Sequence, residues 1–251
     1  MNILFLAGSN MDARFNPGEP TMSEHLVALF EAEYHEPVNL FAHMTWPNGR
    51  LPALIEGWSA EAAPDIVILG LNAFAYAFPS TPHLLRRRFG KPGALAALIG
   101  LRLAARPRIG HSKPFRALSH LTRSAIGGES PVLPAEALEV YTRVLRILAR
   151  NESALVLATA PSPALGWNLT PAQQQRTAAI RAEVEGAVKA LCQSLNIAYI
   201  EGPPKEAFAA RDTLNDGVHY SSSGVRAVAT LNFLALKPHV DAHRAAHPGP
   251  R

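Results

Sequence analysis

NILFLAGSN (residues 2–10) is the stretch whose reading decides the fold. Ile3 to Leu6 are four consecutive apolar residues that lead through Ala7 and Gly8 into Ser9. An apolar run without alternation is the pattern of a strand covered on both faces, as central strands of parallel sheets are. A serine directly after such a strand has two readings. It caps the following helix, as serine commonly does, or it is a nucleophile presented at the strand's carboxyl end. Taken alone the cap is the commoner case, so the rest of the chain has to decide.

Runs of the same kind recur as PVNLFAH (37–43), DIVILGL (65–71), ALVLATA (154–160) and IAYIEG (197–202). Helical patterns lie between them, at about 22–34, 51–62 and 135–150, the last with Leu138, Tyr141, Leu145 and Leu148 on one face. A fourth helix opens at Pro171, a residue favoured in the first turn, and runs to about 195, and a fifth spans about 225–236. Strand and helix in alternation predict an α/β fold: a three-layer α/β/α, flavodoxin-like sandwich of about five parallel strands joined by right-handed crossovers.

Residues 74–134 break this rhythm. A segment of that length between elements carries structure of its own, so the expectation is one domain over 1–251 with a helical insertion at 74–134. Within it, GALAALIGLRLAARPR (93–108) reads as an amphipathic or interfacial helix. It packs as a lid on the sheet edge, or the stretch 84–116 meets an acyl donor or a membrane surface. The tail beyond Pro238 is expected to fray.

Composition narrows the function classes. Of 251 residues, 48% are hydrophobic and 18% charged, enough for a substantial core. The net charge of +4 gathers its basic residues in 83–91 and 102–116, without the interleaved aromatics or repeated basic motifs of a nucleic-acid binder, so no nucleic-acid partner is expected. The single cysteine, Cys192, excludes a disulfide within the chain and points to a reducing compartment. With no basic leader before the first apolar run and no run near 20 residues, a cytoplasmic location is expected. His25, His43, His83, His111 and His120 lack metal-ligand spacing, and neither a metal nor another cofactor is called for.

In an open parallel sheet, ligands collect outside the carboxyl ends of the strands. Ser9 follows the first strand and Asn72 the third. Near the C-terminus, RDTLNDGVHYSSSG (211–224) sets Asp216 and His219 three apart. A carboxylate at that spacing can hold one imidazole nitrogen and leave the other to deprotonate a hydroxyl. Each signal is weak singly. Their order, Ser, Gly-x-Asn, then Asp-x-x-His, each in a suitable element, raises Ser9 above a helix cap.

The pattern resembles the SGNH hydrolase superfamily, the GDSL-type esterases, lipases and acyltransferases. LAGSNM (6–11) stands for the first block with Ser9 at the nucleophile, Gly70-Leu71-Asn72-Ala73 for the Gly-x-Asn-Asp block, and Asp216-Gly217-Val218-His219 for the last. Gly8 replaces the family's aspartate, Ala7 its glycine, and Ala73 the aspartate after the asparagine. The resemblance implies an ester hydrolase acting on an O-acyl ester of a sugar or small molecule. Ser9 would be the nucleophile, His219 the base and Asp216 the residue that orients it. The oxyanion hole would draw on the Ser9 amide, the Asn72 side chain and a backbone amide in HMTWPNGR (43–50). Gly49 is the glycine of that stretch, with the amides of Met44 and Thr45 as alternatives. An acyltransferase moving an acyl chain to a sugar hydroxyl is the second reading. A flavodoxin-like flavin reductase, with LAGSNMDARFN cradling a phosphate, is a more distant one that leaves DGVH without a role.

Overall fold

In the computed structural model, residues 1–8, 16–104, 109, 112–163, 169–214 and 219–247 are described, without the side chains at 97, 101, 104, 116 and 210. Five strands form one sheet: β1 (Asn2–Ala7), β2 (Asn39–Met44), β3 (Ile66–Gly70), β4 (Leu155–Thr159) and β5 (Ala198–Ile200). Their order is β2-β1-β3-β4-β5, and every neighbouring pair is parallel. This is the α/β sandwich that the apolar runs predict.

Alternation along the central strands divides the core in two. Ile3, Phe5 and Ala7 of β1 join Ile66 and Ile68 of β3 under α1 (Met22–Tyr34) and the last helix. Leu4 and Leu6, with Val67 and Leu69, face the other way. They pack under α2 (Leu51–Ala62) and under two later helices, given below. Both faces of β1 and β3 are therefore dry, which is why their sequences do not alternate. Thr21 and Glu24 close a capping box at the start of α1, so the first helix begins where a threonine stands three residues ahead of a glutamate.

Among the described residues the crossover from β3 to β4 includes α3 (Ala73–Ala77), α4 (Thr81–Ala104), α5 (Lys113–Ile126) and α6 (Pro134–Leu148). α4 is two limbs, broken at Gly90, whose φ of 58° and ψ of −129° lie outside helical space. The second limb folds back on the first so closely that a Cβ on Gly93 would stand 1.9 Å from the Leu85 carbonyl oxygen. The base of this excursion is tied. Ser80 and Glu129 exchange backbone hydrogen bonds of 2.9 and 3.2 Å, the Thr81 hydroxyl donates to the Gly127 carbonyl, and Arg87 donates to the carbonyls of Ser130 and Pro131.

The chain then runs through α7 (Pro171–Ser194) to α8 (Ser222–Ala246). Over its described residues the tail beyond Pro238 does not fray: α8 continues through Pro238 to Ala246, and 248–251 lie outside the described residues. Burial outweighs the one backbone hydrogen bond a proline removes. Phe233, Leu236 and Val240 are buried in the core beside α1, and the Tyr34 hydroxyl donates to Asp241 at 2.9 Å.

Candidate active site

The strand order reverses between β1 and β3: one connection from β1 leads out to β2, and the chain returns across β1 to β3. At the carboxyl ends of these strands lies a cavity of about 100 Å³. Gly8 at the end of β1, Gly70 and Asn72 at the end of β3, Thr159 at the end of β4 and Ser162 beyond it line it, with Tyr220 closing one side.

Asn72 is fixed from two directions. Its backbone N–H donates to the Tyr141 hydroxyl at 2.9 Å, and its side-chain amide donates to the Thr45 carbonyl at 3.4 Å. Tyr141 is 1% exposed, and burial pushes its phenol well above the ordinary tyrosine value, so it stays neutral. Thr45 is itself anchored, with both its N–H and its hydroxyl donating to the Ala7 carbonyl at 2.7 and 3.3 Å. The ends of β1, β2 and β3 are thereby linked through Ala7, Thr45 and Asn72. The Asn72 carboxamide also faces Gly8, where an added Cβ would sit 3.5 Å from it.

On the other side the chain arrives through a short antiparallel bridge between Thr213 and Tyr220. The Leu214 N–H donates to the His219 carbonyl at 2.8 Å, and the Ser221 N–H donates to the Asp212 carbonyl at 3.0 Å. The bridge is held by a buried carboxylate. Asp212 accepts from the Ser223 hydroxyl and from the Ala209 N–H, both at 2.7 Å, and these donors hold its carboxyl below the usual aspartate range. Gly224 is required at the turn into α8, because a Cβ there would lie 2.0 Å from the Asp212 carbonyl oxygen. Tyr220 stacks on Phe208 at 5.6 Å, and burial raises its phenol to about 12.

Of the residues singled out in the sequence, Ser9 and Asp216 lie outside the described residues. Asn72 lines the cavity, and so do Gly8 and Tyr220, the chain neighbours of Ser9 and His219. Gly49 stands exposed in the turn before α2 and is not among the lining residues. Of the alternative donors, the Thr45 amide is engaged with Ala7. Sequence reasoning did not find the way Thr45 joins Ala7 to Asn72, nor Asp212, nor the bonding role of Tyr141. The one available signal was a tyrosine hydroxyl on an otherwise aliphatic helix face. Beside the cavity, Trp46, Phe74 and Phe78 form a run of rings with centroids 6.5 and 4.5 Å apart, ending on the Arg123 guanidinium 5.0 Å above Phe78. Among the described residues no three His, Cys, Asp or Glu side chains gather as a metal site.

No family model and no curated protein sequence matches the chain. Solved structures do. The chain is similar to an acetylxylan esterase, Axe2, from Geobacillus stearothermophilus, at 12% identity over 93% of each chain with a TM-score of 0.55. It is similar to the psychrotrophic esterase EstA from Pseudoalteromonas sp., at 9% identity over 96% of this chain and 100% of that one, TM-score 0.53. A family 3 carbohydrate esterase of Clostridium thermocellum matches at 12% identity over 97% of each chain, TM-score 0.51. At such identities the likeness is one of architecture: the fold is the one these SGNH/GDSL-type esterases share.

Proposed function

We propose that the chain is a serine-dependent hydrolase of short O-acyl esters of a sugar or small molecule, with residues 74–134 an insertion in a single catalytic domain. In the reaction, the Ser9 hydroxyl passes its proton to a ring nitrogen of His219 while its oxygen attacks the ester carbonyl. Asp216 holds the other ring nitrogen. The tetrahedral oxyanion takes hydrogen bonds from the Ser9 amide, from the second hydrogen of the Asn72 carboxamide and from a backbone amide among residues 43–49. The alcohol leaves with the proton from His219, and water, deprotonated by the same imidazole, frees the acyl group from Ser9.

The observation that carries this reading is the meeting of Gly8, Asn72 and Tyr220 around one cavity at the strand-order reversal, which is where an open parallel sheet binds ligands. At about 100 Å³ the cavity is smaller than the roughly 300–1,000 Å³ of sites that take drug-sized ligands, which supports a small acyl group. Two of the similar structures are an acetylxylan esterase and a carbohydrate esterase, which favours an O-acetyl carbohydrate as substrate class.

The test is hydrolysis of p-nitrophenyl esters from acetate to octanoate by wild type and Ser9→Ala. Turnover that favours acetate and vanishes in the variant is the expected result. Equal rates in both proteins would overturn the assignment. Adding a sugar acceptor to the same assay separates hydrolysis from acyl transfer, which would yield a new sugar ester.

A further inference from the structure

We infer that the outer face of the second limb of α4, together with that of α5, docks on an anionic lipid bilayer. The inference is independent of the ester-hydrolase reading.

Charge is the first observation. Between Asp65 and Glu129 the chain holds ten of its 24 Lys and Arg residues and none of its 20 Asp and Glu. That segment therefore carries +10, and the remainder of the chain carries −6. Exposure is the second. Seven of the twelve large apolar side chains left exposed among the described residues sit in α4 and α5, including Leu95 at 62% and Leu121 at 65%. Soluble surfaces carry such residues singly, whereas a contiguous group marks a contact site.

Spacing is the third. Lys91, Leu95, Leu98, Ile99 and Arg102 recur at helical intervals along one face of the second limb, with an apolar centre and a cation at each end. The opposite side, with Gly93 and Gly100, packs against the first limb at Leu85 and Pro82. Leu118 and Leu121 are likewise exposed three apart on α5. Apolar side chains that enter the acyl boundary, flanked by long cations whose charges remain among the headgroups, make a helix that lies in the membrane interface. No helix among the described residues is long and apolar enough to cross.

The same features select the occupant. A second copy pairing this face with itself would set basic residues against basic residues. A soluble polyanion has no use for exposed leucines. An anionic bilayer satisfies both the charge and the apolar face.

The experiment is flotation of the full-length protein with phosphatidylcholine vesicles, with and without phosphatidylserine, at low and high salt. Binding to the phosphatidylserine vesicles is expected, falling by roughly tenfold without the anionic lipid or at high salt. Leu95→Glu/Leu121→Glu and Lys91→Glu/Arg102→Glu should each weaken it similarly, with circular dichroism unchanged. Equal partition onto both vesicle types, or none onto either, overturns the inference. So does retention by the leucine variant alongside loss in the charge variant, which marks a soluble-polyanion patch. A dimer in light scattering that dissociates in the leucine variant overturns it too, because the face is then an interface between copies.

Discussion

Asn72 is a residue whose backbone and side chain have separate tasks. Tyr141 holds its N–H and Thr45 holds one side-chain hydrogen, leaving the other for a ligand in the cavity. Removing an oxyanion donor costs roughly 2.7–4 kcal/mol of barrier. Asn72→Ala should therefore lower kcat on p-nitrophenyl acetate by roughly 10²–10³ with little change in KM. Its melting temperature should barely move, since the side chain makes one long hydrogen bond within the fold. Tyr141→Phe acts the other way round: it leaves the Asn72 N–H without its acceptor, at a cost of about 1–3 kcal/mol in urea unfolding. The place of Asn72 just past a strand end was legible because apolar runs mark where strands stop. The part played by Tyr141 was not, because its partner lies 69 residues away.

At the scale of elements, the sequence carried α1 and α2 to their boundaries, Met22–Tyr34 and Leu51–Ala62. Local chemistry sets those limits: a capping box opens α1, and left-handed residues at His35 and Ala63 end the two helices. α8 was misjudged because Pro238 is a local signal against helix and the burial of Val240 against α1 is a tertiary one for it. The break in α4 was equally hidden, since a glycine permits a turn without requiring it. Two glycines turn this into a measurement. Gly186 in α7 has nothing within 4 Å of an added Cβ, so Gly186→Ala should stabilise by about 0.5–1 kcal/mol through helix propensity. Gly224→Ala meets the Asp212 carbonyl and should destabilise by about 1–3 kcal/mol. Thermal unfolding of the pair should move in opposite directions.

For the whole molecule, the fold class follows from the succession of apolar runs, while the cavity does not, because it is made by segments near residues 8, 72, 160 and 220 that meet only in three dimensions. Acid stability is also a property at this scale. Asp212 ties the segment before α8 to that helix, and its hydrogen bonds depress its carboxyl. A depressed carboxyl contributes stability above its unfolded value, and that contribution is lost as pH falls through the folded one. The urea midpoint of the wild type should thus fall below about pH 4. Asp212→Asn should begin lower and fall less steeply over the same range. The tie at the foot of α4 and α5 has a kinetic consequence. β3 and β4 must find one another across roughly 85 residues of intervening chain, and sealing Ser80 to Glu129 shortens that span to less than half, sparing about 0.7 kcal/mol of loop-closure entropy. A chain that zips this excursion shut early reaches its central strand pairing sooner, so the longest detour in the sequence need not be the slowest step in its folding.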